Sequence, residues 1–261
     1  MDRFKNSVVL ITGGTHGMGL ASAIRFAQEG ASVCVSGRDE NKGEEALRLL
    51  KKITKKIVFI QCDVSSNLNV ENLVSKCIEK FGRLDIAFNN AGITAEYASL
   101  ADSNISDWVD VININLCGTY RCMKYEIQAM LTNGGGVIIN NASCVGLMPI
   151  PKQSSYVTSK HAIIGLTKSA ALDYADSTKG GVQIRINAIA PGPILGGMND
   201  AARHAPDSEN LKRKSSFTAM NRLGSQEEIS KAVLWLASNE ASYITGTVIS
   251  IDGGMSTGKW Q

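Results

Sequence analysis

Histidine and cysteine are scarce, and their spacing excludes the common metal sites. The 261 residues include three histidines, which lie far apart, and six cysteines, none of which forms a CxxC pair. Zinc sites need such residues clustered at short spacing, so we expect no metal. Several cysteines stand in apolar runs, which is typical of reduced thiols in a cytoplasmic protein. The residues are His16, His161, His204, Cys34, Cys62, Cys77, Cys117, Cys122 and Cys144.

Long apolar runs and a strong excess of one charge are also missing. No apolar stretch approaches the length of about 20 residues that spans a membrane, and the first residues are typical of a strand rather than of a secretion signal. The formal net charge is +3, and the basic clusters Lys51–Lys56 and Lys212–Lys214 are short and lack interleaved aromatic residues. We therefore expect a cytoplasmic protein with no membrane and no nucleic-acid partner.

The sequence does contain a regular alternation of short apolar runs and longer amphipathic stretches. Hydrophobic residues make up 44% of the chain, and the short runs are almost continuously apolar, as in parallel strands covered on both faces. This alternation predicts a single α/β domain over residues 1–261, a doubly wound Rossmann fold with a mostly parallel seven-stranded sheet and helices on both faces. The predicted strands are Val8–Ile11, Ser32–Ser36, Lys56–Cys62, Leu84–Asn90, Gly136–Ala142, Ile184–Ala190 and Thr247–Asp252.

Segment 192–224 departs from this alternation. Glycine, polar and charged residues dominate it, and it contains no clear strand. An insertion of this length in a compact domain is usually a functional lid or a disordered stretch. We therefore expect segment 192–224 to be a substrate lid or a disordered insertion.

Glycines cluster directly after the first predicted strand, in Thr12–Gly19 (TGGTHGMG). Glycine at a strand-to-helix turn lets the backbone bend tightly and approach a pyrophosphate, which then lies at the positive end of the helix. A simple turn could also contain glycines. Here, however, a strand, a turn, a helix and a second strand follow in the order that a dinucleotide site requires. The cluster therefore predicts dinucleotide binding.

The spacing of Gly13, Gly17 and Gly19, T-G-x-x-x-G-x-G, resembles the short-chain dehydrogenase/reductase family. Further motifs follow in the order of that family, and the resemblance extends over 8–254. They are NNAG (Asn89–Gly92), NLCG (Asn115–Gly118), NASCVG (containing Ser143), the pair Tyr156 and Lys160, and PGPI (Pro191–Ile194). The resemblance implies an oxidoreductase that interconverts a ketone or aldehyde and an alcohol by hydride transfer with NADP(H) or NAD(H).

The resemblance also implies a catalytic set. Tyr156 and Lys160 alone would be ambiguous, because any two residues four apart share a helix face. Within the family pattern Tyr156 is the general acid/base, and Lys160 lowers the tyrosine pKa and holds the nicotinamide ribose. Ser143 hydrogen-bonds the substrate oxygen, and Asn115 orders a water in the proton relay. A Ser/His/Asp hydrolase is disfavoured because Ser143 does not stand in G-x-S-x-G.

The end of the second predicted strand, SVCVSGRDE, bears on the choice of cofactor. Gly37 stands where NAD enzymes of the family commonly carry aspartate, and Arg38 follows it. A guanidinium can bind a 2′-phosphate in bidentate fashion, so NADP(H) is favoured, with Ser36 and His16 as additional hydrogen-bonding partners. Asp39 weakens the local positive field, and Arg38 could merely begin a solvated helix. NAD(H) therefore stays open as an alternative.

Further cofactor contacts are implied by the resemblance. Asp63 is expected at the adenine amine, and Asn89 with the backbone of Ala91 and Gly92 beside the adenine ring and ribose. One position departs from the family, because Gly196 stands where a threonine commonly bonds the nicotinamide carboxamide. The implied cofactor-binding set is completed by Thr15, Met18, Val64, Tyr156, Lys160, Pro191, Gly192 and Ile194.

The substrate pocket and the assembly can be predicted only by class. Ser143, Val145, Tyr156 and Gly192 are expected to contact substrate, and their apolar surroundings suit a moderately hydrophobic ketone or secondary alcohol. Segment 161–175 is apolar or small on nearly every side, so its helix should be buried all round, and the family forms homotetramers through it. A non-catalytic dinucleotide-binding protein of the same fold is the alternative from another functional class.

Overall fold

All strands of the sheet run in the same direction. The computed structural model describes residues 2–176, 181–196 and 209–258, and in them seven strands pair in the order β3-β2-β1-β4-β5-β6-β7, every pair parallel. The predicted fold is confirmed, and each predicted strand is present within two residues of its expected ends. The strands are β1 (Val8–Thr12), β2 (Ser32–Gly37), β3 (Ile57–Gln61), β4 (Ile86–Asn89), β5 (Gly136–Asn141), β6 (Ile184–Pro191) and β7 (Val248–Ile251).

Helices cover both faces of this sheet. In β1, Val9 and Ile11 face the core under α1, α2 and α8, whereas Val8 and Leu10 face the core under α3, α5 and α6. This alternation follows from the two-residue period of a strand. None of the described helices is long and apolar enough to cross a membrane. The helices are α1 (Gly17–Gln28), α2 (Glu40–Lys51), α3 (Asn67–Phe81), α4 (Ile105–Val111), α5 (Gly118–Asn133), α6 (Ser154–Tyr174), α7 (Glu209–Ser216) and α8 (Gln226–Ala237).

Side-chain caps define where four of these helices begin. Asp39, Ser66 and Asn104 accept hydrogen bonds from backbone N–H groups in the first turns of α2, α3 and α4. Ser225 and Glu228 form a reciprocal capping box at α8. Such caps satisfy donors that a helix cannot pair internally. The start of α1 has no side-chain cap, which matters for the cleft described below.

Segment 192–224 leaves the sheet after β6 and returns next to its own beginning. The backbone nitrogen of Leu195 donates to the carbonyl oxygen of Gly224 at 2.8 Å, and the nitrogen of Gly224 donates to that of Pro193 at 3.0 Å. Between these closed ends the structure describes α7. Residues 197–208, which include Arg203 and His204, lie outside the described residues.

Arg185 is a buried cation on β6. Only 8% of its surface is exposed. Its guanidinium donates to the carbonyl oxygens of Leu236 at 2.9 Å, Ser238 at 3.0 Å and Ile244 at 3.3 Å. Two of these carbonyls belong to the last turn of α8 and the residue following it, where backbone acceptors lack intrahelical donors. Arg185 therefore fixes the end of α8 to the sheet.

Replacing Arg185 by methionine should destabilise the fold, because the carbonyl groups of Leu236 and Ser238 would lose their side-chain donor, whereas that of Ile244 would keep the hydrogen bond from Asn187. We expect the free energy of unfolding to fall by about 3 kcal/mol, measured by urea titration at neutral pH. Lys231→Met is the matched control, since Lys231 forms an exposed ion pair with Glu227, and its loss should cost less than about 1 kcal/mol. Equal effects of the two substitutions would contradict this role for Arg185.

Candidate active site

A cleft of about 280 Å³ lies along the carboxyl edge of the sheet. Ligands of open parallel sheets bind at this edge, beside the point where the strand order reverses, which here lies between β1 and β4. Sixteen predicted site residues line the cleft. They are Gly13, Thr15, His16, Gly17, Met18, Ser36, Arg38, Asp63, Val64, Ala91, Gly92, Ser143, Tyr156, Lys160, Pro191 and Ile194.

Five predicted site residues do not line the cleft. Gly19 and Gly192 serve close packing instead: a Cβ on Gly19 would overlap the carbonyl oxygen of Gly13, and one on Gly192 would lie 2.7 Å from the Cα of Asp252. Val145 is 5% exposed and is not among the residues that line the cleft. Direct substrate contact by Val145 and Gly192 is therefore not supported by their positions. The remaining two, Asn89 and Asn115, are described below.

The glycine-rich turn after β1 brings bare backbone to the cleft. Gly13 and Gly17 have φ angles of +61° and +57°, which side-chain-bearing residues rarely adopt. The Asn90 amide nitrogen fixes the turn by donating to the carbonyl oxygens of Thr12 at 3.2 Å and Gly13 at 3.0 Å. The predicted cradle is thus preformed in the chain.

The N-terminus of α1 opens onto this cradle. His16 precedes the helix, but its side chain makes no capping hydrogen bond, and the first turn contains no acidic residue. The first N–H groups of α1 and the positive end of its dipole are therefore available to an anion. A pyrophosphate fits this donor set, because its negative charge would lie against these N–H groups and the positive end of the helix dipole.

Two cationic side chains and a histidine lie at the other end of the same turn. Arg38, His16 and Lys42 line this part of the cleft with the buried Ser36. Burial lowers the pKa of His16, and the nearby charge of Lys42 lowers it further. The Asp39 side chain accepts the backbone N–H of Lys42 at 3.1 Å, so this carboxylate caps α2.

Lys42 was missed in the sequence. The available signal was its position one turn after Arg38, which places both at the start of the same helix.

Asn89 departs from its predicted position beside the cofactor. Its side chain is 3% exposed and its amide nitrogen donates to Glu126 at 2.9 Å and to Asn140 at 3.1 Å, so it points into the protein under α5. Its neighbour Asn90 lines the cleft instead. Successive residues along an extended chain face opposite sides of the sheet. Asn89 at the end of β4 therefore faces the core, and the next residue, Asn90, faces the cleft.

Ser143, Tyr156 and Lys160 converge on one part of the cleft. Ser143 follows β5 and begins a short 3₁₀ turn, where its Oγ accepts the backbone N–H of Val145 at 3.4 Å. Tyr156 and Lys160 lie in the first two turns of α6. The Lys160 ammonium is 4% exposed, donates to the carbonyl oxygen of Asn141 at 2.7 Å and lies 5.5 Å from the centroid of the Tyr156 ring.

Burial governs the protonation of this group. Burial raises the pKa of Tyr156 to about 12, and hydrogen bonding with Ser143 opposes the rise. Burial lowers the pKa of Lys160 to about 8. In the chain alone desolvation disfavours both the phenolate and the ammonium, and the lowering of the tyrosine pKa by Lys160 together with a bound oxidised nicotinamide stays a prediction. Tyr156 is a neutral phenol at neutral pH.

Asn115 lies in a π-helical segment, Ile112–Cys117, between α4 and α5. Its side chain is fully buried: Oδ1 accepts the N–H of Ile93 at 2.8 Å, and Nδ2 donates to the carbonyl oxygen of Ile93 at 2.9 Å and to the hydroxyl of Ser159 at 3.2 Å. Single π-turns occur frequently at functional sites. No periodicity in the sequence indicated this one. Asn115 thus ties the loop after β4 to α6.

The departure at Gly196 has a conformational cause. Gly196 has a φ of +84°, and a Cβ there would overlap the side-chain nitrogen of Gln226. A β-branched threonine would be strained in this conformation. Gln226, the first residue of α8, donates to the carbonyl oxygen of Leu195 at 3.3 Å and lines the cleft together with Gly196. No local pattern could have indicated Gln226, because it lies 30 residues from Gly196.

The described part of the chain contains no group of three or more His, Cys, Asp or Glu able to hold a metal ion. The donors fit a dinucleotide instead, with the α1 terminus for its pyrophosphate and the hydroxyl and ammonium groups of Ser143, Tyr156 and Lys160 at the far end of the same cleft.

Comparison with known proteins agrees with this geometry. The family described as enoyl-(acyl carrier protein) reductase matches residues 13–256. An uncharacterized oxidoreductase of Thermotoga maritima is 40% identical over 96% of this chain and 98% of its own length. The 3-oxoacyl-[acyl-carrier-protein] reductase of the same organism is 36% identical over 97% and 99%. The crystal structure of levodione reductase superposes with a TM-score of 0.89 at 35% identity, covering 98% of this chain and all of that one.

Matches of this extent, together with the parallel sheet and its cleft, establish the family. The relatives are named as dehydrogenases and reductases, and the family uses NAD(P)(H). The chain belongs to the short-chain dehydrogenase/reductase family and is an oxidoreductase acting on CH–OH and C=O groups.

Proposed function

We propose that the protein is an NADP(H)-dependent reductase of a ketone or aldehyde, with Ser143, Tyr156, Lys160 and Asn115 as its catalytic set. One observation carries the proposal: Ser143, Tyr156 and Lys160 share a single cleft with the uncapped N-terminus of α1. A nicotinamide cofactor, when bound there, supplies the hydride. The chain itself must orient the carbonyl and supply the proton.

Tyr156 and Ser143 handle the substrate oxygen in this proposal. The Ser143 hydroxyl donates to the oxygen and holds it beside Tyr156, and Tyr156 O–H donates the proton as charge develops. A phenol with a pKa of about 12 is protonated at neutral pH, so its resting state is that of a general acid. In the reverse direction, alcohol oxidation, the same group would accept the proton.

Lys160 and Asn115 support these groups. The pKa of about 8 leaves Lys160 mainly as an ammonium at neutral pH, able to donate to ribose hydroxyls and to stabilise negative charge near Tyr156. Asn115 acts through its bonds to Ile93 and Ser159, which hold the loop after β4 against α6. Its role in ordering a water stays a prediction, because both polar atoms of this buried side chain are already bonded within the protein.

Removing the Tyr156 hydroxyl should abolish proton donation while leaving the cofactor site intact. For Tyr156→Phe we expect kcat to fall by about 10³- to 10⁴-fold, measured as NADPH oxidation with a ketone, and the Kd for NADPH from fluorescence titration to stay within about threefold of the wild type. Tyr174→Phe, at the other end of α6, is the control and should retain kcat. Retained turnover in Tyr156→Phe would refute the assignment.

The preference for NADP(H) is supported by the charge at the end of β2. Arg38, Lys42 and His16 line the cleft with Asp39, and position 37 itself carries no side chain. A Cβ at Gly37 would lie 3.0 Å from the side chain of Thr15, so a side chain there would require Thr15 to shift. Asp39 is occupied as the cap of α2. NAD(H) use remains the alternative, since a ribose hydroxyl could also fit.

Neutralising Arg38 should affect NADPH selectively, because only NADPH carries the 2′-phosphate. We expect Arg38→Ala to raise the KM for NADPH by about tenfold to a hundredfold and the KM for NADH by less than about threefold, with Lys42→Met giving a smaller effect of the same sign. Arg48→Ala, on the exposed part of α2, is the control. Equal changes for both cofactors would exclude this phosphate site.

Gln226 is our candidate for the missing threonine contact at Gly196. Its amide occupies the space in which a side chain at 196 would begin, and an amide can both donate to and accept from a carboxamide. We expect Gln226→Ala to raise the Kd for NADPH by about threefold to tenfold, measured by fluorescence quenching. Glu227→Ala, the next residue on α8 and not part of the cleft lining, is the control. An unchanged Kd in Gln226→Ala would show that another group fills this role.

The substrate proposed is a moderately hydrophobic ketone, with segment 192–224 as its lid. The described ends of this segment contribute Ile194 and Gly196 to the cleft, and Leu195 is 48% exposed beside them. Relatives named 3-oxoacyl-[acyl-carrier-protein] reductase, levodione reductase and cyclohexanol dehydrogenase support this class. A panel of ketones with NADPH and NADH in parallel also tests the non-catalytic alternative, which predicts cofactor binding without turnover.

A homotetramer is the proposed assembly. Apolar side chains stand exposed on α5 and α6, with Tyr120 at 53%, Leu131 at 41% and Leu172 at 83% exposure. Burying such residues against a second copy would remove apolar surface from water. We also retain the expectation of a cytoplasmic enzyme, which the six free cysteines support.

A further inference from the structure

A carboxyl group is fully buried in the middle of α5. Glu126 has no exposed surface and is not part of the cleft. Its Oε2 accepts a hydrogen bond from the Asn89 amide nitrogen at 2.9 Å. Its Oε1 has no hydrogen-bond partner in the part of the chain that the structure describes. The catalytic proposal makes no use of this group.

The bond to Glu126 is the first of a series that crosses four elements. Asn89 on β4 also donates to Oδ1 of Asn140 on β5 at 3.1 Å. The Asn140 amide nitrogen donates to the Thr167 hydroxyl on α6 at 2.9 Å, and that hydroxyl donates to the carbonyl oxygen of Ile163 at 2.7 Å. All of these side chains are at most 3% exposed.

Three members of the series lie on elements that also carry or precede cleft residues. Asn89 directly precedes Asn90, and Asn140 lies three residues before Ser143. Thr167 lies seven residues, or two helical turns, after Lys160. Movement at the Asn89–Asn140 pair would therefore shift strand ends that carry cleft residues relative to the helix that carries Tyr156 and Lys160.

We propose that Glu126 is a positioning residue: it holds Asn89 against α5, and through Asn140 and Thr167 it fixes the ends of β4 and β5 relative to the helix bearing Tyr156 and Lys160. This inference rests on the proposed function for its catalytic consequence. A small apolar residue at position 126 would leave the Asn89 amide N–H without this acceptor in a dry interior, where an unpaired donor is costly.

Glu126 is a neutral carboxylic acid when it accepts the hydrogen bond from Asn89. A carboxylate in an apolar interior without a cation is strongly disfavoured. Burial raises the pKa of Glu126 to about 8, and the bond from Asn89 opposes the rise only in part. Oε2 can then accept from Asn89 while Oε1 carries the proton. Burial raises the pKa of the neighbouring Cys122 thiol. Glu126 and Cys62 raise it further, and Arg121 lowers it.

Ionisation of Glu126 links this series to pH. The folded-state pKa lies above the ordinary value of 4.5, so the folded protein binds the proton that the unfolded chain has released. Stability therefore falls as pH rises from the ordinary value to the raised one, and levels off above it. Glutamine in place of glutamate would keep the oxygen that accepts from Asn89 but could not ionise.

The first test compares urea unfolding of the full-length wild type and Glu126→Gln at about pH 5.5 and about pH 9 without cofactor. The two proteins share every other titrating group, so their difference isolates Glu126. We expect the urea midpoint of the wild type to drop at the higher pH and that of Glu126→Gln to drop distinctly less. An equal drop of the urea midpoint in both proteins would overturn the inference that Glu126 is protonated in the folded state.

The second test separates positioning from mere stability. In folded protein at pH 7 with NADPH and a ketone substrate, we expect Glu126→Ala to lower kcat by about tenfold to a hundredfold, as for misplaced catalytic groups, and Glu126→Gln to restore it. Thr167→Val breaks the series at α6 and should lower kcat in the same direction, even if Glu126→Ala fails to fold. Unchanged kcat in every folded variant, Thr167→Val included, would overturn the positioning role.

These outcomes are distinguishable from failure of the proposed function. If the wild type reduces no carbonyl compound, the proposed function fails. The urea unfolding comparison needs no substrate and can still be made. For the second test, the Kd for NADPH from fluorescence titration then replaces kcat as the measure of positioning. In that case a Kd raised by about tenfold in Glu126→Ala and Thr167→Val supports the inference, and an unchanged Kd in both overturns it.

Discussion

The parallel direction of all seven strands is the constraint on which the site depends. Parallel strands place every carboxyl end at one edge of the sheet, and each connection must return over a face before the next strand can begin. Residues far apart in sequence, from the turn after β1 to Ser143 after β5, therefore meet in one cleft. The helix that follows β1 adds its N-terminus to the same edge, and the absence of a side-chain cap there leaves its N–H groups open to an anion.

The exclusion of water from the interior is the second constraint, because it requires the buried polar groups around the cleft to be paired within the protein. A buried donor or acceptor must be paired, so each pairing also joins two parts of the fold. Lys160 bonds Asn141 of β5, Asn115 bonds both Ile93 and Ser159, and Arg185 bonds the end of α8. The hydrogen bonds that satisfy these groups therefore also align the elements that carry the reactive side chains.

The same dryness sets the charge state of the site. Desolvation raises the pKa of Tyr156 and lowers that of Lys160, so in the protein alone the tyrosine holds its proton and the lysine charge is weakly favoured. The Lys160 ammonium donates its hydrogen bond to the backbone carbonyl of Asn141 rather than to the phenol of Tyr156. Distances and burial, which sequence spacing does not contain, decide this balance.

Local periodicity and glycine placement were enough to predict the strands, the parallel sheet and the glycine-rich turn after β1. Hydrophobic runs located β1 to β7 within two residues, and Tyr156, Lys160 and Ser143 were identified from their spacing and family pattern. Four features became visible only in the folded chain: which of two adjacent asparagines meets the cleft, where α4 passes through a π-turn into α5, the positions of Lys42 and Gln226 in the cleft lining, and the burial of Glu126 with Asn89. These features depend on contacts between residues distant in the chain and on exclusion of water, and neither has a local signature in the order of residues.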